Sequence, residues 1–184
     1  MRIMIKNMVC RHCVAAVCAT LDRLAIPYSN VEIGLADIVG NLDVEQLALL
    51  DAALVSDGFE RLDNPSQALV ERAKLAVIHH VRDEKECRLK LSACIEEQVG
   101  VSFDTVSRLF SQLEGRTIEK YHIAQKVELV KELIVYADHS LEEIADIVGY
   151  SSAAHLSRQF KAVTGLTPSA FQKQNPRRRP LNEV

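Results

Sequence analysis

Two cysteines stand three residues apart in "NMVCRHC", Asn7 to Cys13. In C-x-x-C spacing, Cys10 and Cys13 can hold one soft ion between two thiolates or act as a redox pair. Two thiolates suit Cu(I) better than Zn(II), which takes four ligands. Met8 and His12 flank the pair; Met8 is expected to pack beneath the loop and His12 to face solvent. The chain has five cysteines in all. An odd number, scattered over positions 10, 13, 18, 87 and 94, is no disulfide framework, so reduced thiols, ligands or core residues are expected. Cys18 shares an apolar stripe with Val14, Val17 and Leu21, and Cys94 lies beside Ile95, so both are read as core. Cys87, in "RDEKECRLK", is read as a surface thiol.

The second chemistry is written twice. "GVSFDTVSRLFSQLEGRT" from Gly100 is echoed by "GYSSAAHLSRQFKAVTGLTP" from Gly149, with Ser107, Arg108, Phe110 and Gly115 falling 50 residues before Ser157, Arg158, Phe160 and Gly165. Each copy has a short helix, a Gly that permits a tight turn, and a second helix with one polar and one apolar face, which is the layout of a helix-turn-helix. Arg108 and Arg158 can each fork onto guanine O6 and N7 or clamp a phosphate. Ser107 and Ser152 are short donors suited to phosphates, which position a protein without specifying sequence. Asp104 can accept from cytosine N4, or cap its helix and repel wrong sites. Phe110, Phe160, Leu109 and Leu156 are read as core.

The elements that must position these groups follow from periodicity. "RIMIK" alternates and reads as a strand; Val14, Val17, Cys18, Leu21 and Leu24 recur at helical spacing until Pro27. "NVEIGLADIVGNLD" reads as two short strands around a turn, Val44 to Leu54 as a second helix, and "FERLD" as a last strand. The order β-α-β-β-α-β is the split βαβ, or ferredoxin-like, plan. "DNPS" marks the boundary, and everything after it is helical in pattern: an amphipathic helix from Ser66 to Glu86, the first copy, a long helix from Thr117 to Ala137, and the second copy. His79 and His80 point about 100° apart on such a helix, so a shared ion is not expected and a surface helix is. The fold class is α+β, with residues 1–64 ferredoxin-like, 65–86 a connecting helix, 87–174 an all-α part with two helix-turn-helix motifs joined by a long helix, and 175–184 a basic disordered tail adding sequence-blind attraction to DNA.

Two resemblances then attach to these residues. "HSLEEIADIVGYSSAAHLSRQFKAVTGLTPSAF", His139 to Phe171, resembles the second helix-turn-helix of the AraC family of bacterial transcription regulators, and the long helix with the first copy resembles the rest of that DNA-binding domain. The resemblance implies double-stranded DNA as partner, read in two adjacent major grooves about one turn, roughly 34 Å, apart. RNA polymerase is a further partner it implies. Groove-facing positions carry over to Asp104, Ser107 and Arg108 in the first copy, and to Ser152, Ala153, His155 and Arg158 in the second. The chain departs from the pattern at Glu96, where a small residue such as Ala145 is usual, at Lys126, where Arg is usual, and at Gln172. The loop at Cys10 and Cys13, with "DGFE" near Gly58 and Phe59, resembles heavy-metal-associated domains of the copper-chaperone type, although Asn7 replaces the usual Gly. That resemblance implies Cu(I) or another thiophilic ion as ligand. A thioredoxin-like redox pair is the rival, but the chain from Met1 lacks the length and βαβ start of that fold.

Composition is ordinary globular, with 48% hydrophobic and 26% charged residues, so disorder is not the default. Residues 1–86 hold 9 Lys and Arg against 13 Asp and Glu, and residues 87–184 hold 13 against 12. A polybasic binder is excluded, and any case for DNA rests on pattern. No run approaches the roughly 20 apolar residues that span a bilayer, and Met1 to Met8 is too short and polar for a signal peptide, so a cytoplasmic protein with no membrane partner is expected. No Ser-His-Asp set, phosphate-cradling glycine loop or paired-carboxylate site has usable spacing, so no enzyme is expected. The expectation is a DNA-binding transcription regulator controlled through Cys10 and Cys13. The alternative is a metal-delivery or thiol redox module whose helical half docks a protein. Operator, sign of regulation and oligomeric state are not encoded in any motif found.

Overall fold

The computed structural model describes residues 1–82, 90–136 and 139–174. The sequence expectations for Cys87 and for the tail 175–184 lie outside the described residues. By packing, the chain divides into two compact units, one of Met1–Ala76 with Ile95–Gly115, the other of Val77–Cys94 with Arg116–Val184. The division falls inside two helices, between Ala76 and Val77 and between Cys94 and Ile95, and again after Gly115.

The first unit opens with β1 (Arg2–Lys6), α1 (Arg11–Arg23), β2 (Tyr28–Glu32), β3 (Leu35–Ile38), α2 (Val44–Ser56) and β4 (Glu60–Leu62). The strands form one sheet in the order β2-β3-β1-β4, with antiparallel neighbours throughout. Alternation along β1 turns Ile3 and Ile5 inward, where they meet Val17 and Leu21 of α1 and Leu50 and Leu54 of α2 in one apolar cluster. Asp43 and Gln46 cap α2 reciprocally, side chain to backbone in both directions. Gly34 joins β2 to β3 at φ +82°, and Leu75 of the next helix lies so close that a Cβ there would sit 2.8 Å from its Cδ1.

That next helix, α3 (Pro65–Arg82), is amphipathic as its spacing announces and leaves His79 exposed, but more of it is covered than a surface helix implies. Val70, Ala73, Leu75, Ala76, Val77 and Val81 are buried, and so is Glu71. The spacing announced an amphipathic helix, but not that so many of its residues would be covered. Within the first unit Glu71 accepts the Asn7 amide at 3.3 Å and Lys74 at 2.9 Å, and Lys74 also reaches Glu114 at 3.3 Å. Glu114 closes α5 (Phe103–Glu114), which follows α4 (Leu91–Val99).

The second unit is built on α6 (Ile118–Tyr136), with α7 (Leu141–Ile147), α8 (Ala153–Thr164) and α9 (Pro168–Gln174). Val127, Val130 and Ile134 of α6 share a core with Ile144 and Ala145 of α7 and Leu156 and Phe160 of α8. Phe171 meets Phe160 edge to face, ring centres 5.6 Å apart. Ser140 and Glu143 form a capping box on α7. Here His80, from the end of α3, lies against His122 of α6 with ring centres 5.5 Å apart. Burial, then Lys126 and then His80 hold the His122 imidazole down to about 4.

Candidate nucleic-acid interface

The two copies fold alike. Val106 and Phe110 of α5, and Leu156 and Phe160 of α8, are all fully buried, so each helix keeps the same face inward at an offset of 50. The opposite face is thereby fixed: Asp104 and Arg108 on α5, and Arg158 on α8, are exposed. Ser107, Ala153 and His155 are half-buried along the same helices. Leu109 is also half-buried rather than core, since it lies beside the inward face and not on it. Gly115 and Gly165 end the two helices in the left-handed conformation, at φ 66° and 78°.

The helix starts differ. On α8, Ser152 is the N-cap: its Oγ accepts the His155 amide at 3.1 Å. His155 is held further by Ser151, whose Oγ lies 3.1 Å from Nδ1, and by the Tyr150 ring at 5.4 Å. Lys126 secures the turn before α8, donating to the Gly149 carbonyl at 3.2 Å and lying 4.9 Å from the Tyr150 ring centre. On α5 the N-cap Ser102 makes no side-chain cap, and its Oγ pairs with the Thr105 hydroxyl at 3.0 Å. The Phe103 amide donates instead to Glu96 Oε1 at 2.7 Å. The sequence showed Glu96 as a departure from pattern, but not this use of it. Ser151 and Tyr150 were missed as supports of His155, because only their neighbours carried the motif.

At the other end of the chain Cys10 and Cys13 are brought together, Sγ to Sγ 3.5 Å, at the start of α1. The Cys13 amide, the Cys13 thiol and then His12 draw the Cys10 thiol down to about 7. Met8 is buried beneath them and His12 is exposed. Among the described residues no three His, Cys, Asp or Glu side chains converge in a way that could hold a metal. A two-thiol site is what is present. Cys18 is half-buried rather than core, and its thiol, then burial, push the Tyr28 hydroxyl up to about 12. Cys94 is buried as expected of a core residue but disulfide-bonded, where only reduced thiols, ligands or core residues are expected from the sequence.

Residues 95–174 match the family description "helix-turn-helix domain". The part of the chain spanning both copies is similar in fold to a transcriptional regulator with an AraC-type DNA-binding domain from Chromobacterium violaceum, at TM-score 0.54 and 24% identity over 60% of this chain and 95% of that one. This region is a helix-turn-helix domain with the fold of AraC-type DNA-binding domains. The C-terminal domain of AraT, a response regulator from Geobacillus stearothermophilus, shares the fold at TM-score 0.52 and 24% identity, over 64% of this chain and 91% of that one. By sequence, the xylose operon regulatory protein of Escherichia coli is 25% identical over 116 residues, 63% of this chain and 29% of that protein. The regulator RipA of Corynebacterium glutamicum is 35% identical over 72 residues, 39% of this chain and 22% of that protein. The chain therefore spans less than a third of the length of these curated relatives. By their names these relatives are regulatory proteins rather than enzymes, and they do not favour a protein-docking module in place of a helix-turn-helix domain. No helix among the described residues is long and apolar enough to cross a membrane.

Proposed function

We propose that this chain is a DNA-binding transcription regulator whose AraC-type domain presents α5 and α8 to adjacent major-groove faces of double-stranded DNA. The observation that carries this reading is the matched pair of helices, each burying a valine or leucine and a phenylalanine while exposing an arginine, the residue type that forks onto a guanine edge. Arg158 and Arg108 are assigned to base edges or phosphates. Ser152, Ala153 and His155 flank the groove at the start of α8, and Asp104 and Ser107 do so on α5. RNA polymerase is the protein partner proposed for such a regulator. The test is retention of a duplex chosen by selection from a random-sequence pool at moderate salt. Arg158→Ala should lose about 1–3 kcal/mol at one base pair if the residue reads a base, whereas uniform weakening across sequences makes it a phosphate contact. If the unaltered chain retains no duplex, the reading fails.

A second assignment concerns control. We read residues 1–64 as a ferredoxin-like, heavy-metal-associated domain, supported by the β-α-β-β-α-β order with sheet order β2-β3-β1-β4. Cys10 and Cys13, with sulfurs 3.5 Å apart and one thiol drawn down to about 7, have the donor chemistry for Cu(I) or another thiophilic ion. Such an ion would supply a soft positive charge that ties the loop to the start of α1. Anaerobic titration with Cu(I) against a competing chelator, read by native mass spectrometry, should show one ion in the unaltered chain and none in Cys10→Ser/Cys13→Ser. Duplex affinity with and without the ion then tests control, and no difference in ion binding between the two proteins refutes the assignment.

A further inference from the structure

The two recognition helices offer DNA opposite electrostatics at their N-termini. A helix N-terminus attracts phosphate through its free amides and its dipole. On α5 that place is taken: Glu96 puts a carboxylate oxygen 2.7 Å from the Phe103 amide, and Asp104 adds a second acid in the first turn. Both copies carry acids on the first helix, Glu96 and Glu97 on α4 and Glu142, Glu143 and Asp146 on α7, so the contrast lies at the start of the second helix. On α8 the residue corresponding to Glu96 is Ala145, buried and without a polar atom, and the cap is the neutral hydroxyl of Ser152. No acid falls in the first turn of α8, and Arg158 and Lys161 lie further along it.

We propose that Glu96 is a specificity-determining residue that closes the N-terminus of α5 to DNA phosphate, so that α8 anchors the chain on DNA and α5 contributes chiefly by rejecting sites. This deepens the DNA-binding reading and rests on it. Glu96 is exposed, and its carboxylate stabilises α5 through the Phe103 amide while meeting any approaching phosphate with like charge. The closure is a charge effect, separable from the cap, because a glutamine at this position still accepts the Phe103 amide.

The full chain and its Glu96→Gln, Glu97→Gln, Arg108→Ala and Arg158→Ala variants are compared on the selected duplex and on an unrelated duplex over a range of salt. Glu96→Gln should bind both about two- to fivefold tighter at low salt. It should also steepen the dependence of log affinity on log salt by up to about one, as one phosphate contact is gained. The unrelated duplex should gain at least as much as the selected one, so that discrimination falls. Arg158→Ala should lose more affinity than Arg108→Ala. An unchanged Glu96→Gln, with Arg158→Ala impaired, overturns the inference and leaves the DNA reading standing. An equal gain in Glu97→Gln also overturns it, because the effect is then net charge and not the position at Phe103. Loss of duplex binding in Glu96→Gln with an unchanged melting temperature would make Glu96 a supporting contact, which is the opposite of the proposal. Absence of duplex binding by the unaltered chain defeats the DNA reading itself.

Discussion

Replacing His122 with glutamine should make the second unit less sensitive to acid. His122 lies on α6 with its Nε2 buried and without a hydrogen-bond partner among the described residues, and its imidazole is held down to about 4 by burial first, then by Lys126 and His80. Unfolded, the ring takes up a proton near its ordinary value of 6.5. Above that pH both states are neutral and the residue adds no pH dependence. Between 6.5 and about 4 the unfolded chain binds a proton that the folded chain refuses, so stability falls as pH falls; below about 4 the effect levels off. That interval, at about 1.4 kcal/mol per pH unit, sets a ceiling near 3 kcal/mol. The ring is only half-buried, so solvent screening brings the expected loss to about 1–2 kcal/mol. Denaturant titrations of the unaltered chain and of His122→Gln from pH 7.5 down to about 4.5 measure it. Carboxylates elsewhere titrate in both proteins and cancel in the difference. A difference that stays flat across the acidic range would show that the folded ring accepts its proton freely, and the reasoning from burial would be wrong.

Three further outcomes are expected. Phe160→Ala empties the centre of the α6–α8 core and removes the edge contact with Phe171, which should cost about 3–5 kcal/mol in a denaturant titration and remove duplex binding with it. Alkylation of Cys10 should reach half its limiting rate near pH 7, about where its thiolate forms, and mass mapping of the modified peptide against that of Cys18 checks this. Gly34→Ala meets both an unfavourable φ of +82° and the Leu75 methyl at 2.8 Å, so a loss of about 1–3 kcal/mol should appear as a lowered melting temperature.

The fold was legible where one period ruled. β1 alternates cleanly and α2 carries its own cap signal, so both lie where the sequence puts them. The helix-turn-helix copies were legible because repetition doubles a weak pattern: Phe110 and Phe160 face inward together, and Arg108 and Arg158 face outward together. The depth of α3 was not legible, because Val, Ala and Leu at helical spacing read the same whether one partner or several cover them. Glu71 illustrates the limit best. A glutamate in "LVERAK" reads as solvated, and only the folded chain shows it buried beneath Asn7 and Lys74. Glu96 stood out as an odd residue, yet its partner, the Phe103 amide, lies seven residues away across a turn whose geometry no spacing rule gives.

The first helix-turn-helix belongs to the same compact unit as the thiol loop, tied there by Lys74 to Glu114 and by Arg72 to the Gln98 carbonyl. Severing the chain after residue 86 would therefore not release both helix-turn-helix copies with their packing intact. The free C-terminal piece would carry an α4 without Arg72 and an α5 without Lys74, while α6 to α9 kept their own core. A gene fragment drawn along the repeat thus inherits one sound copy and one orphaned copy.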